Sequence, residues 1–124
     1  MRLRAGQRLR RNDDFRAVRE LGRRIDCGAF MLTWCVRPLD GPAGPSRVGV
    51  VASRAAVGDA VQRNRAKRRL RTLYRQHQHL VPPRLDLVLT ARAALLRLEF
   101  AEAAKRFVQA CGKLTVPSQP KSNV

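Results

Sequence analysis

The sequence predicts an α+β sandwich: one sheet of about four strands packed with helices. Three observations carry this. Apolar residues recur at helical spacing near both ends of the chain but alternate strictly over residues 30–36. A long polar stretch compatible with a helix lies between two strand-like segments rich in Val and Leu, 47–53 and 85–91. The chain has 124 residues and 44% hydrophobic content, enough for one core and too little for two.

Each element has its own local reason. Residues 1–11 form a basic, irregular lead-in carrying Arg2, Arg4, Arg8, Arg10 and Arg11. Asn12 is a good helix N-cap, and Asp13 and Asp14 put negative charge where the helix dipole favours it. Phe15, Val18 and Leu21 follow at helical spacing before Gly22, which predicts a helix over 13–21. Residues 23–27 carry a weaker strand signal. In the strand 30–36, Phe30, Leu32, Trp34 and Val36 share one face and Met31, Thr33 and Cys35 the other. Three prolines and two glycines between Arg37 and Ser46 predict a mobile connection. Arg47–Ser53 reads as a strand. Gly58 and Asp59 start a helix that runs to about Gln76 or His79, before Pro82 and Pro83. Leu85–Ala91 is strand-like apart from Asp86. Over 99–111, Phe100, Ala103, Ala104, Phe107, Val108 and Cys111 form one helical stripe, and Glu102 precedes Arg106 by four residues. The tail from Gly112, with Pro117 and Pro120, reads as disordered.

Charge narrows the function. Lys and Arg number 26 against nine Asp and Glu, a net charge of +17. Such an excess repels itself until a large anionic partner relieves it. The hydrophobic content excludes a disordered polycation. No apolar run approaches the ~20 residues of a membrane span, and no secretory apolar stretch follows the basic N-terminus. These features predict a cytoplasmic nucleic-acid binder. Cys27, Cys35 and Cys111 are odd in number and form no C-x-x-C, which argues against a disulfide scaffold and a structural zinc site. His77 and His79 form an H-x-H that reads as a polar helix end, and no metal site is predicted.

The segment 63–71 holds six basic residues in nine: Arg63, Arg65, Lys67, Arg68, Arg69 and Arg71. At about 100° per residue, Leu70, Leu73 and His77 lie within about 40° of Ala66, with Tyr74 nearby. Asn64, Arg68, Arg71 and Arg75 cluster on the far side, flanked by Lys67 and Arg65. The helix therefore has a narrow core seam and a broad cationic face. Like charges three and four apart destabilise a helix, and no acid occurs from Val61 to Leu85. Phosphate relieves this, because Arg bonds it bidentately and counterion release drives binding. The helix alone does not separate RNA from DNA.

No catalytic constellation accompanies this face. Asp13, Asp14, Asp59, Glu99 and Glu102 suit helix starts, no carboxylate cluster suits a two-metal nuclease, and no His has an evident catalytic partner. Binding is expected rather than chemistry, and no catalytic residue is predicted.

The run Arg47-Val-Gly-Val-Val-Ala-Ser-Arg54, continued by 57–71 with Arg63-Asn-Arg-Ala-Lys-Arg68, resembles the protein subunit of bacterial ribonuclease P. That family carries Arg-Asn-Arg-x-Lys-Arg on a helix after a strand beginning Arg-Val-Gly. Leu9-Arg-Arg-Asn-Asp-Asp-Phe15 resembles the family's first-helix entry, Phe30-Met-Leu32 its central strand, and Asp86-Leu-Val-Leu-Thr-Ala-Arg92 its last strand. The resemblance spans about residues 8–111 and implies a domain over 12–111, between the lead-in 1–11 and the tail 112–124. It also implies the order α-β-β-β-α-β-α with a left-handed βαβ crossover, against the general rule for parallel connections.

The implied function is to assist a catalytic RNA in Mg²⁺-dependent removal of the 5′ leader from precursor tRNA. RNA and substrate hold the Mg²⁺. By resemblance, Arg54, Arg63, Asn64, Arg65, Lys67, Arg68 and Arg71 face the catalytic RNA. Phe15, Arg19, Met31, Thr33 and Cys35 line a cleft for the leader. Ala55 stands where the family has a second basic residue, and Arg19 and Thr33 stand where some members have aromatics, so charge or planar stacking by Arg19 takes that role. The implied partners are the catalytic RNA and precursor tRNA, with no membrane and no obligate protein partner. Two other readings fit the composition: a ribosomal RNA-binding protein, and a DNA-binding domain with 59–76 as its groove helix. Few short polar side chains accompany the arginines, which favours a phosphate grip over base reading.

Overall fold

The computed structural model describes residues 12–37 and 46–114. The lead-in 1–11, residues 38–45 of the connection and residues 115–124 of the tail lie outside the described residues. Eight elements follow in order: α1 (Asn12–Leu21), β1 (Arg23–Asp26), β2 (Phe30–Val36), β3 (Arg47–Val51), α2 (Arg54–Val57), α3 (Ala60–His77), β4 (Leu85–Ala91) and α4 (Phe100–Cys111). Single 3₁₀ turns follow α3 at Gln78–Leu80 and β4 at Ala93–Leu96.

The sheet order is β1-β2-β4-β3, antiparallel except for the parallel pair β3/β4. Alternation sorts its side chains. Phe30, Leu32, Trp34, Leu85, Leu87 and Leu89 are buried on one face against Ala66, Leu70, Leu73 and Tyr74 of α3 and Ala103 and Phe107 of α4. Each fully buried large apolar side chain contributes roughly 1.5–3 kcal/mol, so this layer dominates stability. The opposite face carries a smaller cluster: Val18 of α1 on Val88, with Phe15, Cys35 and Val51 partly buried around them. Two layers of unequal size thus sandwich the sheet.

Hydrogen-bond parity sets the hand of the β3–α3–β4 connection. Arg92 N–H donates to Ala29 C=O (3.0 Å) and Arg37 N–H to Arg84 C=O (2.8 Å). Even-numbered residues of β4 therefore direct their backbone groups toward β2, and odd-numbered ones toward β3. The odd-numbered leucines also face α3. For L-residues viewed from α3 with β4 running upward, β3 then lies to the right of β4. The chain passes leftward with its helix in front, a left-handed crossover.

Polar groups tie the layers together. Arg69 donates from Nη1 to Leu95 C=O (2.6 Å) and Leu98 C=O (2.8 Å), pinning α3 to the segment before α4. The buried Tyr74 hydroxyl bonds the Ser46 hydroxyl and donates to Ser46 C=O (3.0 Å). Asp86 is only 5% exposed, held by both ends of the Arg47 guanidinium (2.9 and 2.7 Å) with Arg37 at 3.7 Å. At the β1–β2 turn, Asp26 receives Gly28 N–H (2.8 Å) and Arg92 (2.8 Å), while Arg106 donates to Cys27 C=O (3.1 Å) and pairs with Glu102 (3.1 Å). Gly28 N–H and Arg92 hold the Asp26 carboxyl below its ordinary value. Burial pushes the Cys27 thiol up to about 11 and the Cys111 thiol up to about 12, so both stay protonated at neutral pH.

Several expectations are adjusted. α1 begins at Asn12 itself rather than at 13. The weak strand signal over 23–27 is a real edge strand. The stretch before the basic helix contains α2, capped by Ser53 Oγ on Ala56 N–H (3.1 Å). Val108, placed on the buried stripe of α4, is 40% exposed because it falls on the flank turned away from the sheet. The expected tail begins with three ordered residues: Lys113 N–H bonds Ala110 C=O (2.9 Å), and Leu114 is buried in the core.

Gly22 does more than end α1. A Cβ there would lie 2.3 Å from Val18 C=O and 2.7 Å from Trp34 C=O, both backbone atoms. The helix end thus rests directly on β2. Gly22→Ala is expected to lower stability by about 1–3 kcal/mol, the usual cost of overpacking. Thermal unfolding of the variant checks this, and an unchanged midpoint would refute the close approach.

Candidate nucleic-acid interface

α3 forms despite its like charges because its ends and seam are well satisfied. Asp59 accepts Gln62 N–H (2.9 Å) while Gln62 Oε1 accepts Asp59 N–H (3.0 Å), a reciprocal cap. Gly58 makes the bend between α2 and α3 at φ 127°, where a Cβ would collide with Gln62 Oε1. Ala66, Leu70, Leu73 and Tyr74 are buried. His77 is half-buried, hydrogen-bonded through Nδ1 to Leu73 C=O (2.9 Å) and packed on Phe107.

The opposite side is open. Asn64, Arg65, Arg68 and Arg71 are exposed, and Arg63, Lys67 and Arg75 are half-buried along its flanks. Arg54 is exposed at the start of α2, which packs on α3. Among the described residues, Arg54, Arg65, Lys67 and Arg68 have no carboxylate partner, and Arg63 Nε is buried with no hydrogen-bond partner. Arg69 differs from its neighbours: its guanidinium is committed to the Leu95 and Leu98 carbonyls. Its wheel angle, about 60° from Ala66, places it near the seam.

The second surface lies on the other side of the sheet. Phe15, Cys35 and Val51, all half-buried, pack against Val18 and Val88 under α1, and Met31 is half-buried on the same face of β2. Arg19 is exposed one turn beyond Phe15. Thr33 is only 4% exposed, and its methyl lies beneath Gly22 at the end of α1. It supports the floor from below and offers no free surface. Burial, and next the Asp86 carboxylate, raise the Cys35 thiol above its ordinary value.

Two floor residues escaped sequence reasoning. Val51 enters from β3, and Thr90 stands opposite Met31 on β4 and is half-buried. Alternation within each strand gives their face only once the pairing is known. A groove of ≈ 610 Å³ between α1 and β1, lined by Arg16, Arg19, Glu20 and Arg24, was not foreseen either. Among the described residues, no group of three or more His, Cys, Asp or Glu is arranged to hold a metal ion. No helix among them is long and apolar enough to cross a membrane.

Comparison with known proteins gives the family and the fold. The family model described as Ribonuclease P matches residues 3–115. The ribonuclease P protein component of Acidothermus cellulolyticus is 38% identical over 108 residues, covering 87% of this chain and 88% of that protein. That of Nocardioides sp. is 42% identical over 106 residues, covering 83% and 86%. In fold, the RNase P protein from Thermotoga maritima superposes with a TM-score of 0.74 at 23% identity, covering 88% of this chain and 98% of that one. The RNase P protein of Staphylococcus aureus gives 0.70 at 22% identity, covering 86% and 95%. Matched along nearly its whole folded length, the chain belongs to the ribonuclease P protein component family.

Proposed function

We propose that this chain is the RNA-binding subunit of a ribonucleoprotein endoribonuclease that removes the 5′ leader from precursor tRNA. The observation that carries this reading is the open cationic face of α3, set against a fully buried seam. Arg54, Arg63, Asn64, Arg65, Lys67, Arg68 and Arg71 grip phosphates of the catalytic RNA. Phe15, Arg19, Met31 and Cys35 receive the single-stranded leader, with Thr33 as support. The hydrolysis belongs to the RNA, whose phosphates and substrate hold the Mg²⁺. The chain supplies positive charge that lets this complex form at low Mg²⁺. The setting is the cytoplasm, and no further protein is required.

α3 packs on one face of the sheet and α1 on the other. Catalytic RNA and leader are therefore held on opposite sides, and the protein bridges them. The test is cleavage of a 5′-labelled precursor tRNA at low Mg²⁺ by the catalytic RNA alone, the protein alone, and both. Leader release only in the mixture is expected. Cleavage by the protein alone would place chemistry on this chain. No stimulation of an active RNA would move the assignment to a ribosomal RNA-binding protein.

A further inference from the structure

The two edges of the sheet differ. Val48 and Gly49 of β3 are buried, whereas Arg23, Arg24 and Asp26 of β1 are exposed. Hydrogen-bond parity shows what β1 presents. Cys27 N–H donates to Phe30 C=O (2.9 Å), and the direction repeats at every second residue, so Arg23, Ile25 and Cys27 turn their backbone groups toward β2. Arg24 and Asp26 therefore direct N–H and C=O away from the sheet. Among the described residues none of these backbone groups has a partner.

The side chains give this edge a pattern. Arg24, opposite Thr33, lies on the α1 face, while Arg23 and Ile25, opposite Trp34 and Leu32, lie on the α3 face. Ile25 is half-buried against the core, leaving part of its surface for a neighbour. Arg23 and Arg24 have no carboxylate partner among the described residues. Asp26 is already engaged by Gly28 N–H and Arg92, both at 2.8 Å.

The occupant follows from these groups. Phosphate oxygens only accept hydrogen bonds, so a nucleic-acid backbone would leave the outward carbonyls without phosphate donors. An extended polypeptide supplies donors and acceptors alternately, at the spacing of the ladder. A second copy of this chain fits poorly, because each carries +17 and its Asp26 is already held. We propose that β1 is a docking edge for an extended acidic segment of another protein. That segment adds to the sheet as an antiparallel strand beside β1. Read from its N-terminus it runs polar, apolar, acidic, acidic, opposite Asp26, Ile25, Arg24 and Arg23 in turn. α3 packs over β3 and β4 at the other end of the sheet. Docking on β1 thus links the chain to a second protein without drawing on the face proposed for the catalytic RNA.

The experiment uses the full chain, a capped peptide of sequence Ser-Thr-Val-Glu-Glu-Ser, and amide hydrogen exchange read by NMR. In the free protein the Arg24 and Asp26 amides should exchange faster than that of Ile25, which bonds β2. Saturating peptide should slow both by about tenfold or more. Methylating the peptide's Thr and first Glu nitrogens keeps its charge and should abolish the effect. Arg24→Pro removes an outward donor while sparing the β1–β2 ladder, and should also weaken binding. Arg23→Glu with Arg24→Glu should switch the preference to the same peptide with Lys-Lys in place of Glu-Glu.

No added protection at Arg24 and Asp26 would overturn the proposal. Equal binding of the methylated peptide or of poly-glutamate would do the same, since charge alone would then suffice. Protection that rises with protein concentration alone would give the edge to a second copy, and stronger protection by oligouridylate would give it to RNA; either overturns the acidic-strand assignment.

Discussion

Asp86→Asn is expected to destabilise the domain by about 3–5 kcal/mol, the range found when one partner of a buried ion pair is removed. Total stabilities of such domains are about 5–15 kcal/mol, so the variant should sit near the edge of folding. Asp86 is 5% exposed and satisfies both ends of the Arg47 guanidinium at 2.9 and 2.7 Å, with the Arg37 side chain, itself 5% exposed, at 3.7 Å. Burial already draws the Arg37 guanidinium below its ordinary value, and Asp86 is the first charge that counters this. Without the carboxylate, Arg47 loses its two-pronged acceptor and Arg37 the opposite charge at 3.7 Å. Urea unfolding that gives a stability within about 1 kcal/mol of wild type would show that water reaches this site freely.

Arg65→Ala combined with Arg68→Ala should weaken binding to the catalytic RNA a hundredfold or more. Charge-assisted contacts contribute about 1.5–3 kcal/mol each, and about 1.4 kcal/mol is a tenfold change in affinity. Both residues are exposed, so the melting temperature should hold or rise slightly as like-charge repulsion along α3 is relieved. Arg69→Ala is the informative contrast from the same basic run. It strips the Leu95 and Leu98 carbonyls of their donor and should cost stability first. Wild-type RNA affinity in the double variant would remove α3 from the interface.

The two strands flanking the basic helix were legible because they are short, apolar and bounded by turn residues. The seam of α3 was legible too, since Ala66, Leu70 and Leu73 repeat at helical spacing inside a run with almost no other apolar residue. α2 was not. Four residues, Arg54–Val57, are too few to show a period, and only the Ser53 cap marks them. Asp86 read as an interruption in an apolar strand. Its partners Arg47 and Arg37 lie 39 and 49 positions away, and only the sheet register brings them together. The hand of the crossover is likewise absent from any pattern of residues, because it depends on which side of β4 the chain returns. At the candidate site, alternation correctly divided β2 into two faces. It did not reveal that the end of α1 lies down on Thr33, a contact that Gly22 alone permits.

Four of the nine acids are occupied by the fold's own architecture. Asp26 holds the β1–β2 turn with Arg92, Asp59 caps α3, Asp86 neutralises Arg47, and Glu102 pairs with Arg106 along α4. With nine acids in the whole sequence against 26 basic residues, little negative charge remains to offset the surface field. On the proposed function, the free protein is expected to act as a multivalent counterion before assembly, coating RNA without selection and, near charge equivalence, bringing strands together into a condensed phase. On that reading, discrimination comes from competition: shape-matched RNA is expected to retain the protein while other polyanions exchange it, with order of addition and ionic strength setting the yield of assembled complex.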